Sequence, residues 1–185
     1  RLPDQEVIKS IFGDVSELRK NPNAYRIYLL AVGAGLRRGE IFELKKDWLQ
    51  GGDTPTVFLG LTDNWQQKGK GESQTEICEW AYKELCNIMA DEGDRVLTGT
   101  VTDADDAARW LAEWLRSKGL DRKKPIHELR MLYGSWIANR RGIYAAQKLL
   151  RHKTVNVTND HYADLIVDEA ILKLWEPKSA RKKPA

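Results

Sequence analysis

Apolar residues recur at helical spacing along most of this 185-residue chain, and the pattern changes once, between Gly51 and Glu79. Such a chain packs helices around a core and leaves room for one small sheet. Val7, Ile8, Ile11 and Phe12 follow an acidic first turn at Asp4 and Glu6, which predicts a short amphipathic helix. From Asn23, read as a cap, Tyr25, Ile27, Tyr28, Leu29, Leu30 and Val32 lead to a break at Gly33 and Gly35. The pattern resumes through Ile41, Phe42 and Leu44, so two helices meet in a tight joint at Gly35-Leu36-Arg37. In the interrupted stretch, residues 56–59 are β-rich, 64–73 are polar with glycine, and 75–78 suit a returning strand. A small antiparallel sheet with the basic loop Gln67-Lys68-Gly69-Lys70-Gly71 is expected.

Helical spacing returns at Trp80, Ala81, Leu85, Ile88 and Met89. It continues through Ala107, Ala108, Trp110, Leu111, Trp114 and Leu115 behind an acidic start at 103–106, then over 126–139, 144–150 and 155–175. Residues 1–175 read as one domain, and the basic tail 176–185, with two prolines and little that is apolar, reads as disordered. No run approaches the roughly 18 apolar residues of a membrane helix, and the start has no signal-peptide segment, so a membrane or secreted protein is not expected. Cys78 and Cys86 lie too far apart for a zinc pair, and His127, His152 and His161 form no metal-ligand pattern. Both thiols are expected to be buried, in a reducing cytoplasm. Thirty basic against 27 acidic side chains give a net charge of +3, too little to identify a polyanion partner, so charge placement must decide.

Three segments set strong polar groups inside apolar helical patterns, where they are costly unless paired or functional. In Gly35-Leu36-Arg37-Arg38-Gly39-Glu40-Ile41, Arg37 and Glu40 stand three residues apart, so the carboxylate can hold the guanidinium in one geometry. In Ile126-His127-Glu128-Leu129-Arg130, an imidazole able to move a proton at neutral pH stands one turn from a permanent cation suited to phosphate. In Leu149-Leu150-Arg151-His152-Lys153, a cationic cluster precedes Tyr162 by about ten residues, and surrounding cations favour a phenolate. Each segment taken alone also suits a surface ion pair, a cap or a core tyrosine.

In this order, and with the basic β-loop, the segments resemble the catalytic domain of the tyrosine recombinases, the phage-integrase family. That family has a Gly-Leu-Arg-x-x-Glu box, a lysine on a β-hairpin, a His-x-x-Arg box, a Leu-Gly-His-like box and a tyrosine near the C-terminus; the corresponding residues here span 35–162. The resemblance implies an α+β domain, mostly helical with a small antiparallel sheet, of the tyrosine recombinase/type IB topoisomerase catalytic fold. It implies that Arg37 and Arg130 clamp the scissile phosphate, that Glu40 supports the arginines, and that His127 exchanges a proton with the tyrosine or buttresses the phosphate. His152 then bonds a phosphate oxygen, Tyr162 is the nucleophile, and Lys70, with Lys68 as the alternative, is the general acid. It further implies DNA integration or recombination through a covalent 3′-phosphotyrosyl intermediate, with no metal, cofactor or ATP, in a prokaryotic or phage-encoded protein on the nucleoid. The partners implied are duplex DNA, further copies of the chain docked through the C-terminal helix, and an N-terminal DNA-clamping domain in the full-length protein.

Two departures stand out. Arg151 occupies the usual glycine position before the second histidine, and the His152 to Tyr162 interval is one residue longer than the commonest form. They give the only sequence support for an alternative, a catalytically inactive recombinase-like DNA-binding module. The basic residues expected to meet DNA besides the site are Arg38, Arg140, Arg141, Arg151 and Lys153, and Trp80, Trp110, Trp114 and Trp136 are expected on packed apolar faces.

Overall fold

In the computed structural model, which describes residues 2–61, 71–153 and 168–176, helices α1 (Gln5–Phe12) and α2 (Ser16–Arg19) lead into α3 (Pro22–Ala34). Every residue of α3 from Asn23 onward is buried, as expected of a helix apolar on all sides. Its cap is Asn21 rather than Asn23: the Asn21 side chain accepts from the Ala24 N–H at 3.0 Å, and Pro22 takes the first helical position, where no N–H is needed. Asn23 is instead a buried connector, donating to the Thr98 carbonyl at 2.8 Å and accepting from the Thr98 N–H at 3.0 Å and from Arg26 at 2.9 Å.

The far end of α3 shows where an all-buried helix sends its last carbonyls. Leu30 O and Ala31 O accept from Leu36 N (3.3 Å) and Gly35 N (3.1 Å), closing a turn through Gly35 at φ 61°. Gly33 O accepts from Cys78 N at 2.8 Å, and Val32 O from the indole Nε1 of Trp175 at 2.8 Å. A side chain at Gly35 would strike the Tyr133 ring, 2.5 Å from the position of its Cβ, so the joint requires glycine for φ and for space.

Helix α4 (Arg38–Glu43) follows this joint, and a 3₁₀ turn (Lys46–Trp48) leads to the sheet β1 (Leu49–Gln50), β2 (Thr56–Leu59) and β3 (Ser73–Glu76). The three strands lie antiparallel in the order β1-β2-β3, with Leu49 opposite Val57 and Val57 opposite Thr75. The expected basic loop, with Lys68 in it, joins β2 to β3 and, up to Lys70, lies outside the described residues.

Helices α5 (Glu79–Asn87), α6 (Val101–Ser117) and α7 (Pro125–Arg141) pack on α3, and α8 (Ile143–Leu150) packs on α7. Helix α6 starts two residues before the acidic run: Thr100 caps it, and Asp103 accepts from the Thr100 N–H at 2.6 Å. The described part of the C-terminal segment, α9 (Glu169–Leu172) and a 3₁₀ turn (Lys173–Trp175), folds back on this chain. Trp175, 1% exposed, stacks on Trp136 and meets Phe12 edge-on. Two expectations need correction. Cys78 is buried but Cys86 is exposed, because α5 turns that face to solvent; Trp110 is 43% exposed, because α6 buries its Ala104, Ala107, Ala108 and Leu111 side. Among the described residues, no helix is long and apolar enough to cross a membrane.

Candidate active site

The joint after α3 turns Arg37 and Glu40 toward α7 and the end of α8. Glu40 sits at the third position of α4, where its Oε2 accepts from the Arg37 N–H at 2.7 Å and its Oε1 from the Arg37 guanidinium at 2.9 Å. Oε2 also accepts from Arg151 at 2.6 Å and stands 4.0 Å from Arg130 Nη1. One carboxylate, 2% exposed, therefore gathers three guanidiniums from three stretches of sequence. Burial pushes the Glu40 carboxyl up, but Arg151, the Arg37 N–H, Arg130 and the Arg37 guanidinium outweigh it and hold the group below its ordinary value.

Arg130, on the second turn of α7, is 1% exposed and donates to the carbonyls of Gly35 and Leu150. It thereby ties the end of α3 to the end of α8. Arg37 is the open member of the group, with its side chain 30% exposed. His127 stands exposed one turn before Arg130, and the His152 N–H donates to Gln147 O at 3.0 Å, closing the turn that ends α8. In that turn Arg151 adopts φ 55°, the single positive φ of a non-glycine residue among the described residues. A Cβ at such a φ costs about 1–2 kcal/mol relative to glycine, the residue that the family pattern has at this position.

A recess of about 560 Å³ opens on Arg37, Arg130 and His127. Arg38, Arg109, Arg116, Lys123 and Lys124 also line it, together with Leu36, Ala108, Ala112, Pro125 and Ile126. Arg38 pairs with Asp105 and Arg109 with Asp106, while Arg116, Lys123 and Lys124 are exposed. The N-terminus of the 17-residue helix α7 faces the same space, and its dipole favours an anion there.

The structure thus brings Arg37, Glu40, His127 and Arg130 together, while Lys68, Lys70 and Tyr162 lie outside the described residues. It does not make Arg151 a surface cation: the side chain is 9% exposed and bonded to Glu40 and to Leu149 O at 2.8 Å. Arg140 pairs with Glu169 and Glu176, and Arg141 with Glu76, so both join elements of this chain; Lys153 is exposed. The sequence reading missed Arg109, Arg116, Lys123 and Lys124. Two signals mark them: Arg109 and Arg116 stand seven residues apart on one helix face, and a basic run directly precedes the His127 box.

The described tyrosines have other employment or lie apart. Tyr133 is fully buried, its hydroxyl donating to Glu76 O at 2.8 Å and its acidity suppressed by burial. Tyr25 and Tyr28 are buried with bonded hydroxyls, and Tyr82 shares a hydrogen bond with Cys86. Tyr144 is 73% exposed.

This arrangement is the tyrosine recombinase catalytic-domain fold, mostly helical with a three-stranded antiparallel sheet. Solved structures with that fold include the XerA recombinase (TM-score 0.67, 17% identity, 100% of this chain and 65% of that one). Others are the XerH site-specific recombinase bound to palindromic difH substrate in a post-cleavage complex (0.62, 17%, 88% and 49%) and the Tn1549 transposon integrase with transposon right end DNA (0.62, 16%, 90% and 61%). The chain spans between about half and two thirds of these proteins. No family model matches the sequence, and no curated protein matches it.

Proposed function

We propose that this domain cleaves and rejoins duplex DNA in site-specific recombination. The observation that carries the reading is the buried carboxylate of Glu40, which holds Arg37 and stands 4.0 Å from Arg130 at the edge of a cation-lined recess. In this reading the Tyr162 oxygen attacks the scissile phosphorus and forms a 3′-phosphotyrosyl bond. The bond to the 5′ oxygen breaks, and Lys70, or Lys68, supplies the proton that makes the leaving group a 5′-hydroxyl. His127 takes the phenol proton or steadies the phosphate, and His152 bonds one of its oxygens. A hydroxyl from a partner strand then attacks the phosphotyrosine, restoring the DNA bond and the tyrosine without an external energy source.

Charge explains why such a site suits the reaction. Negative charge grows on the phosphate oxygens in the transition state, and fixed guanidiniums stabilise it without reorganising. Removing one, as in Arg37→Ala, is expected to lower the cleavage rate by about 10²–10³. The same proposal includes assembly of several copies on DNA and a clamping domain outside this sequence.

The test incubates the protein, Tyr162→Phe and Tyr144→Phe with labelled nicked duplexes carrying a randomised target stretch, followed by a denaturing gel. A retarded covalent band from the wild type and Tyr144→Phe, absent from Tyr162→Phe, is the expected result. Salt-sensitive DNA binding with no band in any lane, from the full-length protein as well as from this domain, would sink the cleavage reading in favour of an inactive DNA-binding module.

A further inference from the structure

Arg151 is the residue at which this chain departs from the family pattern, and three observations make its side chain more than a substitute for glycine. Its backbone keeps the left-handed shape, φ 55°, that places His152 directly after α8. Its guanidinium turns inward, spanning from Leu149 O to the Oε2 of Glu40, a residue 111 positions earlier in the chain. Its own carbonyl lies 3.5 Å from Arg37 Nη2. The turn before His152 and the carboxylate that orients Arg37 are therefore cross-linked through one side chain.

We propose that Arg151 is a positioning residue, whose guanidinium locks the His152 turn to Glu40 and thereby fixes Arg37 for its phosphate. This rests on the strand-cleavage reading for its kinetic consequence, but the ordering of Arg37 stands apart from it. Without Arg151, Glu40 keeps Arg37 and the more distant Arg130, so the buried carboxylate remains compensated. Its Oε2 then loses its 2.6 Å guanidinium donor, and Arg37, bonded at both carboxylate oxygens, loses the cross-link that ties that carboxylate to the turn before His152. Glycine accepts φ 55° without strain, so Arg151→Gly removes the side chain while keeping the turn. Lysine keeps the charge but lacks the planar fork that reaches two acceptors at once.

The proposal has a readout that needs no DNA and one that does. In ¹⁵N relaxation measurements on the free protein, the Arg37 Nε–H is expected to be ordered in the wild type and mobile in Arg151→Gly, with Arg151→Lys between them. On nicked duplexes, single-turnover cleavage by Arg151→Gly is expected to fall roughly tenfold to a hundredfold, as for a reacting group held loosely by about 1 Å. DNA affinity should change less than about twofold, because a buried side chain contributes no phosphate contact. Unchanged Arg37 order in a folded Arg151→Gly protein overturns the proposal, as does wild-type cleavage by that variant. A wild-type protein that forms no adduct defeats the cleavage reading instead, and the Arg37 measurement still decides the role of Arg151.

Discussion

Three guanidiniums on one buried carboxylate make Glu40 the residue on which the site's geometry depends. Buried ion pairs add little net stability when complete, but breaking one leaves charge without compensation, at about 3–5 kcal/mol. Glu40→Gln is therefore expected to destabilise the domain by an amount in that range, measured by urea unfolding at neutral pH. The carboxyl's folded value is depressed below the ordinary 4.5, so its contribution is complete above that pH and is lost as pH falls through the lower folded value. Unfolding of the wild type should show this loss on the acid side, and the Glu40→Gln curve should run flatter there. An equal acid slope in both proteins would contradict the assignment. Arg37, Glu40 and Arg130 were legible in the sequence as candidates because charged groups inside apolar patterns need partners. That Arg151 joins them was not, since a basic residue after a helix ordinarily faces water.

Among elements, α3 shows what periodicity does and does not reveal. The apolar run and its glycine break located the helix and the joint, but the cap fell at Asn21 because Pro22 can begin a helix and Asn23 was needed inside. The faces of α5 and α6 were harder to assign, since Cys86 and Trp110 satisfy an apolar pattern yet lie on the outward side. The change of pattern located β2 and placed β3 two residues late, but the short β1 at Leu49–Gln50 gave no such sign, and the seat of the C-terminal segment depends on a pairing distant in sequence. Trp175 fills a pocket between Phe12 and Trp136 and satisfies a carbonyl of α3. Trp175→Ala removes the buried ring and that bond, and is expected to cost about 3–5 kcal/mol by chemical denaturation. A loss below about 1 kcal/mol would mean that α9 contributes little to the core.

For the molecule as a whole, cations are concentrated where net charge gives no hint of them. Arg116, Lys123 and Lys124 extend the surface around Arg37 beyond the residues picked out from sequence, and Arg140, Arg141 and Arg151 are engaged within the chain. If about six cations meet phosphates, the logarithm of DNA affinity should fall with that of salt at a slope of about −5. The double variant Lys123→Ala, Lys124→Ala should make the slope shallower by about 2 without changing sequence preference, as measured by fluorescence anisotropy across salt concentrations. An unaltered slope would place the DNA elsewhere. The bond from Trp175 to Val32 also bears on the order of synthesis, for it joins residues 143 positions apart. Helix α3 emerges from the ribosome early, yet one of its terminal carbonyls acquires its donor only when nearly all of this sequence has been made. The heart of the domain is thus begun first and sealed last, and during translation its core stays incomplete until the segment that follows Tyr162 arrives.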